Sequence, residues 1–247
     1  MGLLSAGLCD IGRKRKSNQD SIYLNKEKHL FIVADGMGGH NGGEVASAMA
    51  VRDVPAYLLK HYKDDPIKIS EQSILYANQT IKKKGEASPE LQGMGTTVVS
   101  LLFRSSHLYI GNVGDSRAYL VNHNKLYQLT RDHSLVQEKL DLGLYDRKQA
   151  QADPQKNVLV RNVGFEDEIS VDVFTYKVSK NDIFLICSDG LHGKVSDEDI
   201  LTIINKNIPN PAEANQNAMD KTVQQLVAQA NENGGNDNIS VIIVVAR

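Results

Sequence analysis

Seven short runs of apolar and β-branched residues, each closed off by turn formers, limit what this chain can become. They lie at 30–34, 96–103, 108–113, 117–121, 171–176, 183–188 and 239–246. Runs of this length read as strands rather than as helices with a buried stripe. Asn122-His123-Asn124, between Val121 and Lys125, reads as a tight hairpin, so at least part of the sheet is expected to be antiparallel. Helical periodicity occupies 44–61, 70–84, 134–142 and 212–233, the last following Pro211 and stopping at Gly234-Gly235. A shorter helix is expected from Ser196, where Ser196 and Asp199 have capping-box spacing with Asp in place of Glu or Gln. Helices and strands come in blocks rather than in strict alternation. This predicts a mixed α/β (α+β) fold of largely antiparallel sheets with helices packed outside, not a doubly wound parallel sheet. No repeat, low-complexity tract or linker divides residues 1–247, which are expected to form one domain. The least patterned stretch, 143–164, reads as a surface flap.

With 41% hydrophobic residues among 247 and a formal charge of −2, the chain can bury a core without disulfides. Low aromatic content, the absence of Trp and the lack of any basic cluster beyond Arg13-Lys14-Arg15-Lys16 argue against nucleic-acid or membrane-surface partners. Cys9 and Cys187 read as small buried hydrophobes, which fits a reducing, cytoplasmic setting. The first eight residues lack a basic n-region and place Ala6 where a myristoylation signal wants Ser or Thr. No apolar run approaches the roughly 20 residues of a membrane-spanning helix, so a soluble protein is expected.

Function is written in where aspartates fall. Asp35 follows the first run, Asp115 the third within Gly114-Asp115-Ser116-Arg117, and Asp189 the sixth within Ser188-Asp189-Gly190. Asp237 precedes the last run instead. If that strand runs antiparallel to the others, its start shares an edge with their ends, and four carboxylates converge. Singly, each is an ordinary turn former. Together they would repel one another unless cations neutralised them. Oxygen-only donors suit Mg²⁺ or Mn²⁺, whereas zinc sites recruit Cys and His at spacings this chain lacks. Two such ions about 3.5–4 Å apart activate water for in-line displacement at a phosphoester.

Six ordered blocks then carry a family resemblance: Asp10-Ile11-Gly12 with Arg15 and Asn18-Gln19-Asp20; Asp35-Gly36-Met37-Gly38-Gly39-His40; Gly95-Thr96-Thr97; Gly114-Asp115-Ser116-Arg117; Ser188-Asp189-Gly190; and Gly234-Gly235-Asn236-Asp237-Asn238. The chain resembles the type 2C, metal-dependent serine/threonine protein phosphatases, in particular their compact bacterial members. The resemblance implies an α-β-β-α sandwich, two antiparallel sheets face to face with helices outside and metals at one edge. It implies that Asp35 bridges two ions, that Asp189 and Asp237 complete the first site, and that Asp20 with the Gly36 carbonyl serves the second. Asp115 with Asp189 would hold a third, weaker ion. Arg15 would grip the substrate phosphate, although the residues alone also allow a solvated basic patch. His40 would bind substrate or act as general acid. The other six histidines, among them His133 and His192, read as structural or exposed. Phosphorylated proteins, opposed by a serine/threonine kinase of the same cell, are the implied partners, and a monomer is the default. In the flap, Asp153-Pro154 and the segment 160–164 depart from the His-Pro and Thr-Arg-Ala-like pattern of many bacterial relatives, which touches substrate preference and leaves every expected ligand in place.

Three rivals have signatures that can be compared with this chain. Cys9 and Arg15 have the Cys-x₅-Arg spacing of thiolate phosphatases, but Asp10 sits beside the sulfur and no glycine-rich anion nest opens a helix there. A non-catalytic phosphoprotein-binding relative would be expected to lack metal aspartates, and all five are present. A histidine-rich binuclear phosphoesterase needs Gly-Asn-His, whereas Gly111-Asn112 continues into Val113.

Overall fold

The computed structural model describes residues 2–38 and 42–247. Two sheets, antiparallel throughout, are built from these residues. The first runs in the order β1 (Leu3–Asp10), β11 (Ile239–Ala246), β10 (Ile183–Cys187), β7 (Arg117–Asn122) and β8 (Lys125–Gln128). The second runs β2 (Asp20–Asn25), β3 (Leu30–Met37), β5 (Val98–Arg104), β6 (His107–Val113) and β9 (Asp172–Lys177), with the short β4 (Gly95–Thr96) paired to the end of β3.

The period-two alternation of the central strands sorts their side chains into layers. Along β11, Ile242 and Val244 face the other sheet, where they meet Phe31, Val33, Val99, Leu101 and Ile110. Phe103 of β5 reaches across to Phe184 of β10 with an edge-on contact at 5.3 Å between ring centres. The alternate residues, Val241, Ile243 and Val245, face outward onto α6 (Asp197–Asn207) and α7 (Gln216–Glu232). On the opposite flank α1 (Gly42–Lys60) and α2 (Pro66–Glu86) cover Leu30, Ile32 and Leu102 of the second sheet. A strand buried on both faces needs apolar residues at consecutive positions, which is why β10 and β11 read as unbroken hydrophobic runs. The arrangement is the expected α-β-β-α sandwich.

Local differences have local causes. The hairpin at Asn122 is present, with His123 and Asn124 at positive φ of 47° and 59°, as the turn demands. The helix expected over 212–233 begins only at Gln216, because Asn215 Oδ1 accepts from the Ala218 N–H and caps it. Pro211 instead opens a 3₁₀ turn over Pro211–Glu213. Ser134 and Ser196 both act as N-caps, for α3 (Leu135–Asp141) and α6. The stretch 143–164 contains one short helix, α4 (Arg147–Ala152). Among the described residues no helix is long and apolar enough to cross a membrane.

Candidate active site

The first aspartate does not follow its strand; β3 runs on through Asp35 and Gly36 to Met37. The extension is held by the threonines of the Gly95-Thr96-Thr97 block. The Asp35 N–H donates to Thr97 Oγ1 at 3.0 Å, and its carbonyl accepts from Thr97 N–H at 2.8 Å and Thr96 Oγ1 at 2.9 Å. With its backbone fully engaged, Asp35 has only its carboxylate left to offer. Gly36 donates its N–H to the Gln19 carbonyl at 3.0 Å, and a Cβ there would collide with the carbonyls of Gly43 and Gln19, so no other residue fits.

Asp115 sits in the turn between β6 and β7, where Gly114 takes a φ of +105° and presses on Thr97. Thr97 Oγ1 and Ser116 Oγ lie 2.7 Å apart, so the same threonine braces both Asp35 and the Asp115 turn. Beneath it Arg117 donates from Nε and Nη2 to the buried Asp132 at 2.9 and 2.7 Å, a fork that fixes the base of the turn. Asp189 opens α5 (Asp189–His192) directly after β10. Asp237 precedes β11, and because β10 and β11 are antiparallel the two carboxylates share one edge. Asn238 ties that edge to the N-terminal loop by accepting from Gln19 N–H and donating to the carbonyls of Ile11 and Ser17.

Asp35, Gly36, Asp115, Asp189, Asp237 and Arg15 line a single cleft of about 360 Å³. Arg15 leaves its basic neighbours and donates from Nη2 to Asp237 Oδ2 at 2.6 Å. Asp20 is placed beneath the cleft rather than on its lining, paired in register with Asp35 and only 6% exposed, with Oδ2 accepting from Ser188 Oγ at 2.7 Å. His40 and Gly39 lie outside the described residues. Residues that the sequence did not single out also line the cleft: Gln19 from the N-terminal loop, and Asn157, Leu159 and Asn162 from the flap. The flap residues come from an irregular polar stretch that carries no periodic signal. Gln19 belongs to the Asn18-Gln19-Asp20 block, in which an uncharged amide beside a carboxylate carries no metal-ligand signal of its own. A larger, shallower hollow of about 540 Å³ on the flap includes Lys139 and Asp153, but these are spent on each other at 2.9 Å. Cys9 is absent from the cleft lining. Its sulfur accepts from Asn18 Nδ2 and Ser240 Oγ, and burial raises its pKa, the opposite of an activated thiolate.

The electrostatics are those of acids forced together. Burial first, and neighbouring carboxylates second, push Asp35 and Asp115 well above the usual range. Burial raises Asp20 to about 7 despite hydrogen bonds from Ser188 and Ser240. Asp189 reaches about 6 through burial and Asp237, with a hydrogen bond from Asp35 working the other way. Asp189 Oδ1 and Asp20 Oδ1 are buried without a hydrogen-bond partner. Among the described residues no three carboxylate, imidazole or thiol groups are drawn tightly enough to form a ready cage. The fit to a hard divalent cation therefore rests on donor chemistry: several carboxylates and the Gly36 carbonyl around one cleft, and orphaned carboxylate oxygens that a cation would satisfy.

A family model described as protein phosphatase 2C matches residues 12–239. The chain belongs to the protein phosphatase 2C family. Its sequence is 36% identical to the serine/threonine phosphatase stp of Listeria welshimeri, over 95% of this chain and 92% of that protein. Its fold is similar to the crystal structure of the Mycobacterium tuberculosis serine/threonine phosphatase PstP/Ppp, with a TM-score of 0.87, 32% identity and 99% of both chains covered. It is also similar to the catalytic domain of PstP in complex with two manganese ions, with a TM-score of 0.82 and 31% identity over 98% of this chain and 97% of that one. For a protein phosphatase 2C, the thiolate and histidine-rich rivals are set aside.

Proposed function

We propose that this chain hydrolyses phosphoserine and phosphothreonine in proteins with divalent cations held in the aspartate-lined cleft. The observation that carries the reading is one cleft bordered by Asp35, Asp115, Asp189 and Asp237 with Arg15 beside them, in a protein phosphatase 2C chain. Mn²⁺ or Mg²⁺ fits the oxygen donors, and the manganese-bound PstP relative supports that choice. We assign Asp35, the Gly36 carbonyl, Asp189 and Asp237 to two tighter ions and Asp115 with Asp189 to a third, weaker one. Asp20 keeps its assignment to the second ion through its unpartnered Oδ1. Such ions, when bound, neutralise phosphate charge and supply a water acidic enough to lose its proton near neutral pH.

The chain's own groups do the rest. Arg15 orients the phosphate with a fork of donors, and its exchange between Asp237 and substrate keeps the cation from facing an empty cleft as an unpaired charge. His40 binds the phosphate or protonates the leaving alkoxide. Asn157, Leu159 and Asn162 place the flap segment 143–164 against the residues that flank the phosphorylated one. We read residues 1–247 as one catalytic domain acting as a monomer, in the cytoplasm as the two free thiols suggest, against a serine/threonine kinase of the same cell.

Hydrolysis of a phosphothreonine peptide and of p-nitrophenyl phosphate, each with EDTA, Mn²⁺ or Mg²⁺, tests the reading. Turnover that requires the cation and stops in EDTA is expected. Turnover that survives EDTA and stops with a thiol reagent, or none under any condition, overturns it.

A further inference from the structure

Asp115 and Asp189 stand on two separate pieces of chain that the sheet does not join at their tips. The last rung between β7 and β10 is Arg117 against Cys187. Beyond that rung one chain enters the Gly114-Asp115-Ser116 turn and the other enters α5. On the Asp115 side the neighbours are already held: Gly114 donates its N–H to His133 Nδ1 at 3.1 Å and accepts from the His133 N–H, while Ser116 meets Thr97. On the Asp189 side α5 is pinned by the fully buried Leu191 and by Gly190, whose missing Cβ lets the helix lie on the Asn238 carbonyl. One side chain bridges the gap. His192, the last residue of α5, places Nε2 3.0 Å from the carbonyl oxygen of Asp115. A carbonyl only accepts, so the ring carries its proton on Nε2 and donates.

We propose that His192 is a positioning residue, which locks the Asp115 turn to the Asp189 helix and so sets the spacing of the two carboxylates assigned to the weakest cation. This rests on the cation assignment under Proposed function. The remaining contacts on the turn constrain Gly114 and Ser116, whereas the bond from His192 acts on the backbone of Asp115 itself. It also comes from the element that presents Asp189, so a shift of either carboxylate is transmitted to the other. Partners that orient ligands in this indirect way are worth roughly 10–100-fold in metal affinity or activity when removed.

The experiment compares the wild type with His192→Leu, which loses the donor, and His192→Gln, whose amide N–H can replace it. Mn²⁺ binding is followed by calorimetry, the melting temperature in EDTA is recorded, and kcat and KM for p-nitrophenyl phosphate are measured at several Mn²⁺ concentrations. The expected result is that His192→Leu weakens the weakest Mn²⁺ by about 10-fold and lowers kcat with KM little changed, its metal-free melting temperature staying close to wild type, and that His192→Gln restores most of both. Isotherms indistinguishable between wild type and His192→Leu would overturn the proposal. So would equal losses in both variants, since a restored donor must then count for nothing. An inactive wild type that still binds Mn²⁺ in cleft-dependent fashion sinks the phosphatase reading alone, while the isotherms still decide the role of His192.

Discussion

Five aspartates carry the proposed cation assignments, four on the cleft lining and Asp20 beneath it. Asp35 is the one held through its backbone, braced by Thr96 and Thr97, with its carboxylate close enough to Asp189 to perturb it. Asp35→Asn or Asp189→Asn should abolish turnover and weaken cation binding, because each removes a charge that the assigned ions share. Asp115→Asn should slow turnover and leave two tighter cations bound; equal loss of all ions in calorimetry would contradict the separate assignment of Asp115. Cys9→Ser, by contrast, should keep nearly full activity, since the sulfur is an acceptor between Asn18 and Ser240 and its raised pKa leaves it a thiol. A folded but inactive Cys9→Ser protein would reverse that ranking. The convergence of Asp115, Asp189 and Asp237 was legible because each sits beside an apolar run. Asp20 has no such run before it, and its place beneath the cleft follows from pairing with Asp35 across β2 and β3, a register that only the folded sheet reveals.

At the scale of elements, the sequence concealed β1 and β2, although β9, also at the margin of its sheet, was legible as the run at 171–176. Strands β10 and β11, β5 and β6 have neighbours on both sides and read as plain apolar runs. Strands β1 and β2 each close one sheet with a single neighbour, and their side chains are mostly half-buried, so the pattern that marks a strand is diluted. Strand β8, also marginal, was visible only as the second arm of the Asn122 hairpin. The late start of α7 has the same flavour: the periodicity runs back to Ala212, but the cap at Asn215 decides where the helix begins. Asn215→Ala should therefore cost about 1 kcal/mol, a fall of about 2–4 °C in melting temperature for a domain of this size. Asn210→Ala, which touches only the preceding 3₁₀ turn, should stay within about 0.5 kcal/mol in the same denaturation experiment. Equal effects would move the start of the helix to Pro211.

The molecule as a whole should answer to pH through its cleft. Without cations, Asp20 at about 7, Asp189 at about 6, and Asp35 and Asp115 well raised would hold protons in the folded protein that the unfolded chain, with ordinary aspartates, has released. Between pH 4 and 7, on the order of these values, the native state binds more protons, so stability falls as pH rises, by about 1.4 kcal/mol per pH unit for each proton involved. Melting in EDTA should therefore occur at higher temperature near pH 5.5 than near pH 7.5, and Mn²⁺ should raise it more at the higher pH, where cations replace protons. An EDTA melting temperature that climbs over this interval would show that the carboxylates are not strained. The ladder between β1 and β11 has a further consequence, which concerns time. Leu3 pairs with Ala246 and Asp10 with Ile239, so the sheet that presents Asp189 and Asp237 is closed by the partners most remote from each other along the chain. Contacts of such long sequence separation form slowly, because the chain must give up its freedom before any rung rewards it. The edge that carries Asp189 and Asp237 should therefore assemble late, and during refolding phosphatase activity should lag behind the recovery of helical signal.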